Sequence, residues 1–207
     1  MKKLLSTILA LSLIAFIISC GKDDPVPEVD QEELSSAKLV FTEVEREAHG
    51  DHYHYNDIKD PEKDSISFSG INFVAPVGAH MDLEAHKTYR FELKVTDFQG
   101  RASQQTFVER HEQHFAFFNQ IPDGTATIVY TDKLKDGTKV KVGTIGYITV
   151  DKPSNKFVLR YIMKHLNPGV KASINANTDI QIVDFNKFAG ATDLDLKFEM
   201  HFIDDDH

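Results

Sequence analysis

The sequence of 207 residues contains no tryptophan and only one cysteine, Cys20. A single cysteine cannot form an internal disulfide, so a stable fold has to rest on a hydrophobic core or a bound metal. Acidic residues outnumber lysine and arginine by 32 to 23, which gives a formal net charge of −9. Nucleic-acid binding requires clustered basic residues. The composition therefore argues against nucleic acid as a partner and favours cations over anions.

The sequence also lacks the common signatures of enzymes. It has no glycine-rich phosphate-binding loop and no nucleophile elbow. The segment His-Glu-Gln-His at residues 111–114 differs from the zinc-protease motif, in which the second histidine comes one residue later. This spacing gives Glu112 no role as a general base. We therefore expect a protein that is not an enzyme.

One apolar run stands out at the start of the chain. Residues 4–18 are apolar or small, follow a basic start and precede Ser19 and Cys20. The run is shorter than the roughly 20 apolar residues that span a bilayer, so residues 1–19 are predicted to be a secretory signal peptide. A lone cysteine at this place resembles the lipidated cysteine of a bacterial lipoprotein. We expect cleavage before Cys20 and its acylation, with palmitate among the acyl groups; the alternative is an ordinary signal followed by a structural cysteine.

The segment after this cysteine predicts a tether to the membrane. Residues 20–36 are rich in proline and acidic side chains and contain few large apolar groups, as solvated linkers do. Lys-Asp-Asp at residues 22–24 resembles the short acidic export signal of surface lipoproteins of Bacteroidota. We expect a lipid-anchored outer-membrane protein at the cell surface, or otherwise on the periplasmic face. Residues 204–207 form an acidic tail, and we assign no role to His207.

The remaining residues, 37–203, show the periodicity of β-strands. Residues 89–95 and 194–202 alternate apolar and polar side chains, which is typical of strands with one buried face. Further strands are predicted at residues 38–44, 65–73, 114–119, 126–131, 142–150 and 157–166. No segment has the pattern of a three-turn amphipathic helix. These short strands and polar turns predict an antiparallel β-sandwich of the immunoglobulin-like or Greek-key type, with a small closed barrel as the alternative.

Three histidines lie within six residues, at His49, His52 and His54. If this stretch is extended, His52 and His54 point to the same face, about 7 Å apart along the strand. Gly50 allows a turn that brings His49 close, and Asp51 can ligate an ion or orient a ring. This pattern predicts a metal site; the alternative is a histidine-rich polar surface loop. Zinc is the favoured ion, and copper and nickel also accept imidazole.

A fourth ligand is needed if the predicted site is to be complete. The candidates are His80, His86, His111 and His114. They lie far from the first three histidines in sequence, so the fold has to bring the segments together. His165, at the end of a strand, is expected to be a hydrogen-bonded structural residue. His201 is expected to share a solvated sheet face with Asp193 and Asp195.

Three segments resemble a family of Bacteroidota lipoproteins of unassigned biochemistry: residues 111–118, residues 159–171 with the run Lys-His-Leu-Asn-Pro-Gly-Val-Lys, and residues 192–198. Members of that family look like single β-rich domains, and some are encoded beside TonB-dependent outer-membrane receptors. The resemblance covers most of the mature domain. It implies capture of a scarce nutrient, a metal or haem, and a TonB-dependent receptor as partner.

Together these patterns predict an outer-membrane lipoprotein that binds a transition metal, most simply zinc, for capture or delivery to a receptor. One alternative is a haem-binding lipoprotein, in which paired histidines ligate the iron within an apolar cleft. The other alternative is a non-enzymatic accessory protein that binds a glycan or a protein. In that case the exposed aromatic surface would come from Tyr53 and Tyr55, because the chain has no tryptophan.

Overall fold

The computed structural model describes residues 34–204, and they form ten strands in two sheets. In chain order the strands are β1 (Leu34–His49), β2 (His52–Asp57), β3 (Lys63–Ser69), β4 (His80–Glu84), β5 (Thr88–Asp97), β6 (His114–Asn119), β7 (Ala126–Tyr130), β8 (Ile145–Val150), β9 (Phe157–Leu166) and β10 (Gly190–Ile203). One short helix, α1 (Gln104–Glu109), precedes β6, and two 3₁₀ helices, Val170–Ser173 and Phe185–Lys187, lie between β9 and β10. The predicted signal peptide, Cys20 and His207 lie outside the described residues.

The two sheets confirm the prediction of an all-β sandwich. The first sheet has the order β2-β1-β5-β8-β7, with β3 also paired to β1, and the second has the order β4-β10-β9-β6. Strand neighbours are antiparallel except β4 and β10, which run parallel. These two strands are far apart in the chain, so a pattern of local turns does not reveal their pairing. None of the helices in residues 34–204 is long and apolar enough to cross a membrane.

Phenylalanine rings from the two sheets meet in the core. Phe91 of β5 lies edge-on to Phe118 of β6, with ring centroids 4.9 Å apart. At another point Phe68 of β3 meets Phe198 of β10 at 5.9 Å. All four rings are buried, as the period-two pattern requires for residues on the inner faces. These four phenylalanines therefore fill part of the space between the sheets.

The start of β8 and the end of β3 differ from the prediction. β8 begins at Ile145 rather than at residue 142, because the Asp132 carboxylate accepts the backbone N–H groups of residues 142–145. β3 ends at Ser69, since Gly70 turns the chain with a φ of 76°. At the other end of the domain, β1 begins at Leu34, inside the segment predicted to be a tether.

All six residues of β6 are buried, although this strand lies at the edge of its sheet. The segment between β9 and β10 covers its outer face, where Phe117 stacks on Phe188 at a centroid distance of 5.6 Å. Loops also satisfy the free edge: the Ala116 N–H donates to the Val142 carbonyl at 2.7 Å. This covering explains a run of buried residues without alternation, and it places the start of β6 inside the protein.

β1 and β2 extend past the rest of their sheet as a two-stranded ribbon. The pairing of β1 with β5 ends at Val44, whereas its pairing with β2 starts there and continues to His49. Residues 45–49 of β1 are exposed or partly exposed because no neighbouring sheet covers them. The ribbon carries its turn, Gly50-Asp51, into solvent.

Candidate functional site

The tip of the β1–β2 ribbon places the three predicted histidines on one face. His49 pairs directly with His52, and Glu47 pairs with His54. Residues that oppose each other in antiparallel strands share a face, and so do residues two apart in one strand. Gly50 makes the two-residue turn with a φ of 62°, the positive value that such hairpin turns favour.

The rings of these histidines contact one another. The centroids of His49 and His54 are 4.4 Å apart, and those of His52 and His54 are 5.1 Å apart. The His52 and His54 Nε2 atoms are separated by 3.1 Å. Two ligand atoms bound at about 2.1 Å in tetrahedral geometry lie about 3.4 Å apart. This pair of nitrogens is therefore spaced for a shared ion. The three residues form what we call the histidine tip.

Acidic side chains orient the rings of the histidine tip. The His52 Nδ1 lies 3.2 Å from a carboxylate oxygen of Asp51, which can only accept, so Nδ1 carries the proton. In the neutral ring the His52 Nε2 lone pair is then directed toward His54, where it can accept a hydrogen bond from the His54 Nε2–H or bind an ion. Glu47 contacts the His49 Nε2 at 3.4 Å. The carboxylates also add negative potential that attracts cations to this exposed end of the ribbon.

The four predicted fourth-ligand residues lie elsewhere. His80 begins β4 and contacts the Gly78 carbonyl at 3.1 Å, and His86 lies in the turn before β5 with a φ of 67°. His86 lines a groove of about 660 Å³ near the base of the ribbon. His111 precedes β6. Within residues 34–204, none of these four histidines has a ring contact with the histidine tip.

His114 belongs to a second cluster, inside the protein. It lies opposite His165 in the antiparallel pairing of β6 and β9, with ring centroids 4.6 Å apart. The Asp193 Oδ2 lies 3.3 Å from the His114 Nε2. Among residues 34–204, these are the only three potential metal ligands whose ligand atoms all lie within 4.8 Å of one another. We call this group the buried triad.

A β-bulge brings Asp193 into the buried triad. The register of β10 against β9 shifts between Thr192 and Leu194, so Asp193 is the extra residue at that point. Bulges turn a side chain away from the direction that alternation gives it. The Asp193 side chain is 3% exposed, whereas Asp195 stays at the surface and pairs with Arg160 at 2.6 Å. The expectation that Asp193 lies on the solvated face is therefore wrong.

The residues around the buried triad are buried or partly buried and held by hydrogen bonds. The ring of Phe107, from α1, packs against His114 at a centroid distance of 5.1 Å. Burial lowers the pKa of His165, and His114 lowers it further, so neutral imidazole is favoured there. Lys171 donates to the His114 carbonyl at 2.7 Å, and burial lowers the pKa of this lysine to about 8. These contacts fix the start of β6.

Sequence reasoning missed His165 and Asp193 as members of a cluster. His165 is a single histidine without a local partner, and its neighbour His114 lies on another strand of the sheet. Only the pairing of β6 with β9 identifies the contact. The bulge at Asp193 has no sequence signature in a stretch that otherwise alternates regularly. The sequence offered one signal: His114, at the start of β6, and His165, at the end of β9, each lie beside apolar residues of a predicted strand.

Two tyrosines of the ribbon, Tyr53 and Tyr55, have neighbours that cover part of each ring, although Tyr53 is 49% exposed. Tyr55 stacks on Tyr147 with centroids 3.7 Å apart and planes 6° from parallel. The Arg46 guanidinium lies over the Tyr53 ring at 4.1 Å from its centroid. Each of these tyrosines therefore has one ring face occupied by another side chain.

Comparison with known proteins gives no family: no family model, no curated protein and no solved structure matches the chain. Evidence for function therefore comes from the residues of this chain and their geometry. The resemblance to Bacteroidota lipoproteins stays a prediction.

Proposed function

We propose that this protein is an outer-membrane-anchored lipoprotein that binds zinc at the histidine tip, for capture or for delivery to a receptor. The observation that carries the proposal is the grouping of the His49, His52 and His54 rings on one face of an exposed ribbon, with the His52 and His54 Nε2 atoms 3.1 Å apart. The ligand atoms of all three do not lie within 4.8 Å of one another, so the exposed rings have to turn before the three can bind one ion. Imidazole is a preferred ligand of zinc, and three such rings are enough for a site that keeps an open position.

Exposure supports a role in exchange rather than in structure. The side chains of His49 and His52 are 50% and 63% exposed. An ion held there is open to solvent and to a partner protein, which suits capture and transfer. The open coordination position can take water or a receptor side chain. The acidic character of the chain, −9 in formal charge, favours arrival of a cation.

The lipid anchor and the receptor are supported by sequence alone. The basic start, the apolar run and Cys20 support the lipid anchor. The family resemblance supports a TonB-dependent receptor as partner. The two alternatives have less support from the site. The phenylalanines that would line a haem cleft fill the core, and the tyrosines that would bind a glycan are partly covered.

Zinc titration of residues 21–207 tests the proposal. We expect stoichiometric binding by the wild-type chain and the loss of one equivalent, or at least about 100-fold weaker binding of it, after His49→Ala, His52→Ala and His54→Ala together. Binding should also collapse below about pH 6, because histidine ligates in its neutral form. Isothermal titration calorimetry reports both the stoichiometry and the affinity.

His201→Ala is the matched control, since this partly exposed histidine lies in the other sheet beside Asp82. It should bind zinc as the wild type does. Single replacements of His80, His86 and His111 show whether any of them supplies a further ligand. Equal binding by the wild type and the triple variant would make the histidine tip a solvated turn and refute the proposal.

A further inference from the structure

Within residues 34–204, three buried side-chain polar atoms have no hydrogen-bond partner. They are His114 Nε2, His165 Nε2 and Asp193 Oδ2. His114 is fully buried, His165 is 6% exposed, and the Asp193 side chain is 3% exposed. A buried polar group without a partner costs about 1–3 kcal/mol, and a charged one costs more. Three such atoms on adjacent strands call for a species that satisfies them together.

The hydrogen bond on the other side of the His114 ring defines that species. Its Nδ1 lies 3.1 Å from the Arg110 carbonyl, which can only accept, so Nδ1 carries a proton. In the neutral ring the Nε2 lone pair then faces the Asp193 carboxylate at 3.3 Å. Two acceptors at this distance repel each other unless a positive charge lies between them. That charge is either a proton on Nε2 or a metal ion.

We propose that the buried triad is a second metal site, in which His114, His165 and Asp193 bind one divalent transition-metal ion such as zinc. Two imidazoles and a carboxylate are a ligand set that zinc accepts. The 3.3 Å between the His114 and Asp193 ligand atoms matches the roughly 3.4 Å of a tetrahedral site. The other separations are within 4.8 Å, so reaching the tetrahedral spacing requires the His165 ring to move inward by at most about 1.4 Å.

The surroundings suit a bound ion. The Arg110 carbonyl fixes the tautomer of His114, as outer hydrogen bonds do at most histidine ligands. Phe107 packs against His114 and the ligand side chains are buried, and this low-dielectric environment strengthens the attraction between an ion and its ligands. A groove of about 530 Å³ borders Asp193 on its outer side, while the Asp193 Oδ2 atom stays buried.

This site has a different role from the histidine tip. It joins β6, β9 and β10, so an ion there cross-links three neighbouring strands. Its ligands are buried, and release of the ion requires the strands to separate. The second ion therefore stabilises the fold and exchanges slowly, whereas the ion at the histidine tip exchanges with solvent.

The test uses the full chain in detergent, with His49, His52 and His54 all changed to alanine so that the histidine tip is absent. We expect this variant to retain one equivalent of zinc and to melt at a higher temperature with zinc than after chelation. Long-range ¹H–¹⁵N spectra of the histidine rings should show the Nε2 resonances of His114 and His165 shifting when zinc is added.

In the same background, His165→Gln and Asp193→Asn should each remove the zinc equivalent, while His201→Gln should retain it. The ring spectra need no change in the core, so they decide the matter even if the core variants fail to fold. The proposal is overturned if the triple variant binds no zinc. It is also overturned if the spectra show both nitrogens of His114 protonated and unaffected by zinc, since a proton then occupies the site. Either result leaves the test of the histidine tip unchanged.

Discussion

Replacement of Asp132 by alanine is expected to lower the free energy of unfolding by about 4 kcal/mol. Its carboxylate is 1% exposed and accepts the backbone N–H groups of Val142, Gly143, Thr144 and Ile145 at 2.8–3.1 Å. Without the carboxylate, these buried donors lose their acceptor. Urea denaturation followed by circular dichroism measures the change.

Loss of the Asp132 carboxylate is also expected to weaken β6 and β9, two of the strands that carry the buried triad. The loop that Asp132 organises accepts the Tyr161 hydroxyl at the Gly143 carbonyl, 2.9 Å away, and the Ala116 N–H at Val142. Asp136→Ala is the control, because this carboxylate accepts one N–H in an exposed turn. We expect the control to cost no more than about 1 kcal/mol. A loss of stability at Asp132 no larger than that of the control would contradict this account of the loop.

Gly190→Ala is expected to destabilise the protein by about 3 kcal/mol or more. A Cβ atom at this position would lie 2.2 Å from the His165 carbonyl oxygen and 2.7 Å from the Leu166 Cα. Both are backbone atoms of β9, so the strand itself has to move. The φ of 151° adds strain for any residue with a side chain. Thermal denaturation gives the shift in melting temperature.

The same substitution is expected to abolish binding at the buried triad, because Ala191 is the register partner of His165. Gly100→Ala serves as the comparison, since Gly100 has a φ of 76° and nothing within 4 Å of its position for a Cβ. It should cost about 1 kcal/mol from backbone strain alone. Equal losses of stability from the two substitutions would mean that the backbone of β9 near His165 moves aside at little cost, and would contradict this prediction.

Local pattern was enough to predict the ribbon face that carries His52 and His54. Alternation along one strand places residues two apart on the same side, and Gly50 beside Asp51 provides the turn that adds His49. The limits of β6 and β9 also followed from composition, since polar turns bound both strands. These features depend on neighbours in the chain.

The buried triad depends on contacts that the chain order does not contain. His114 meets His165 through the register of two strands, and Asp193 turns inward through a single extra residue. β8 is shorter than predicted because the Asp132 carboxylate, which lies outside this strand, accepts the N–H groups of Gly143 and Thr144. In each case a tertiary interaction overrides the local preference, so periodicity alone gives the wrong face or the wrong boundary.

The most direct test of the account is the number of zinc ions that the untagged wild-type protein retains after dialysis. Inductively coupled plasma mass spectrometry, with the protein concentration from amino-acid analysis, gives this number. We predict two zinc ions per chain: one at the histidine tip, and one at the buried triad that survives longer dialysis against a chelator. Protein that retains no zinc at neutral pH would contradict the account.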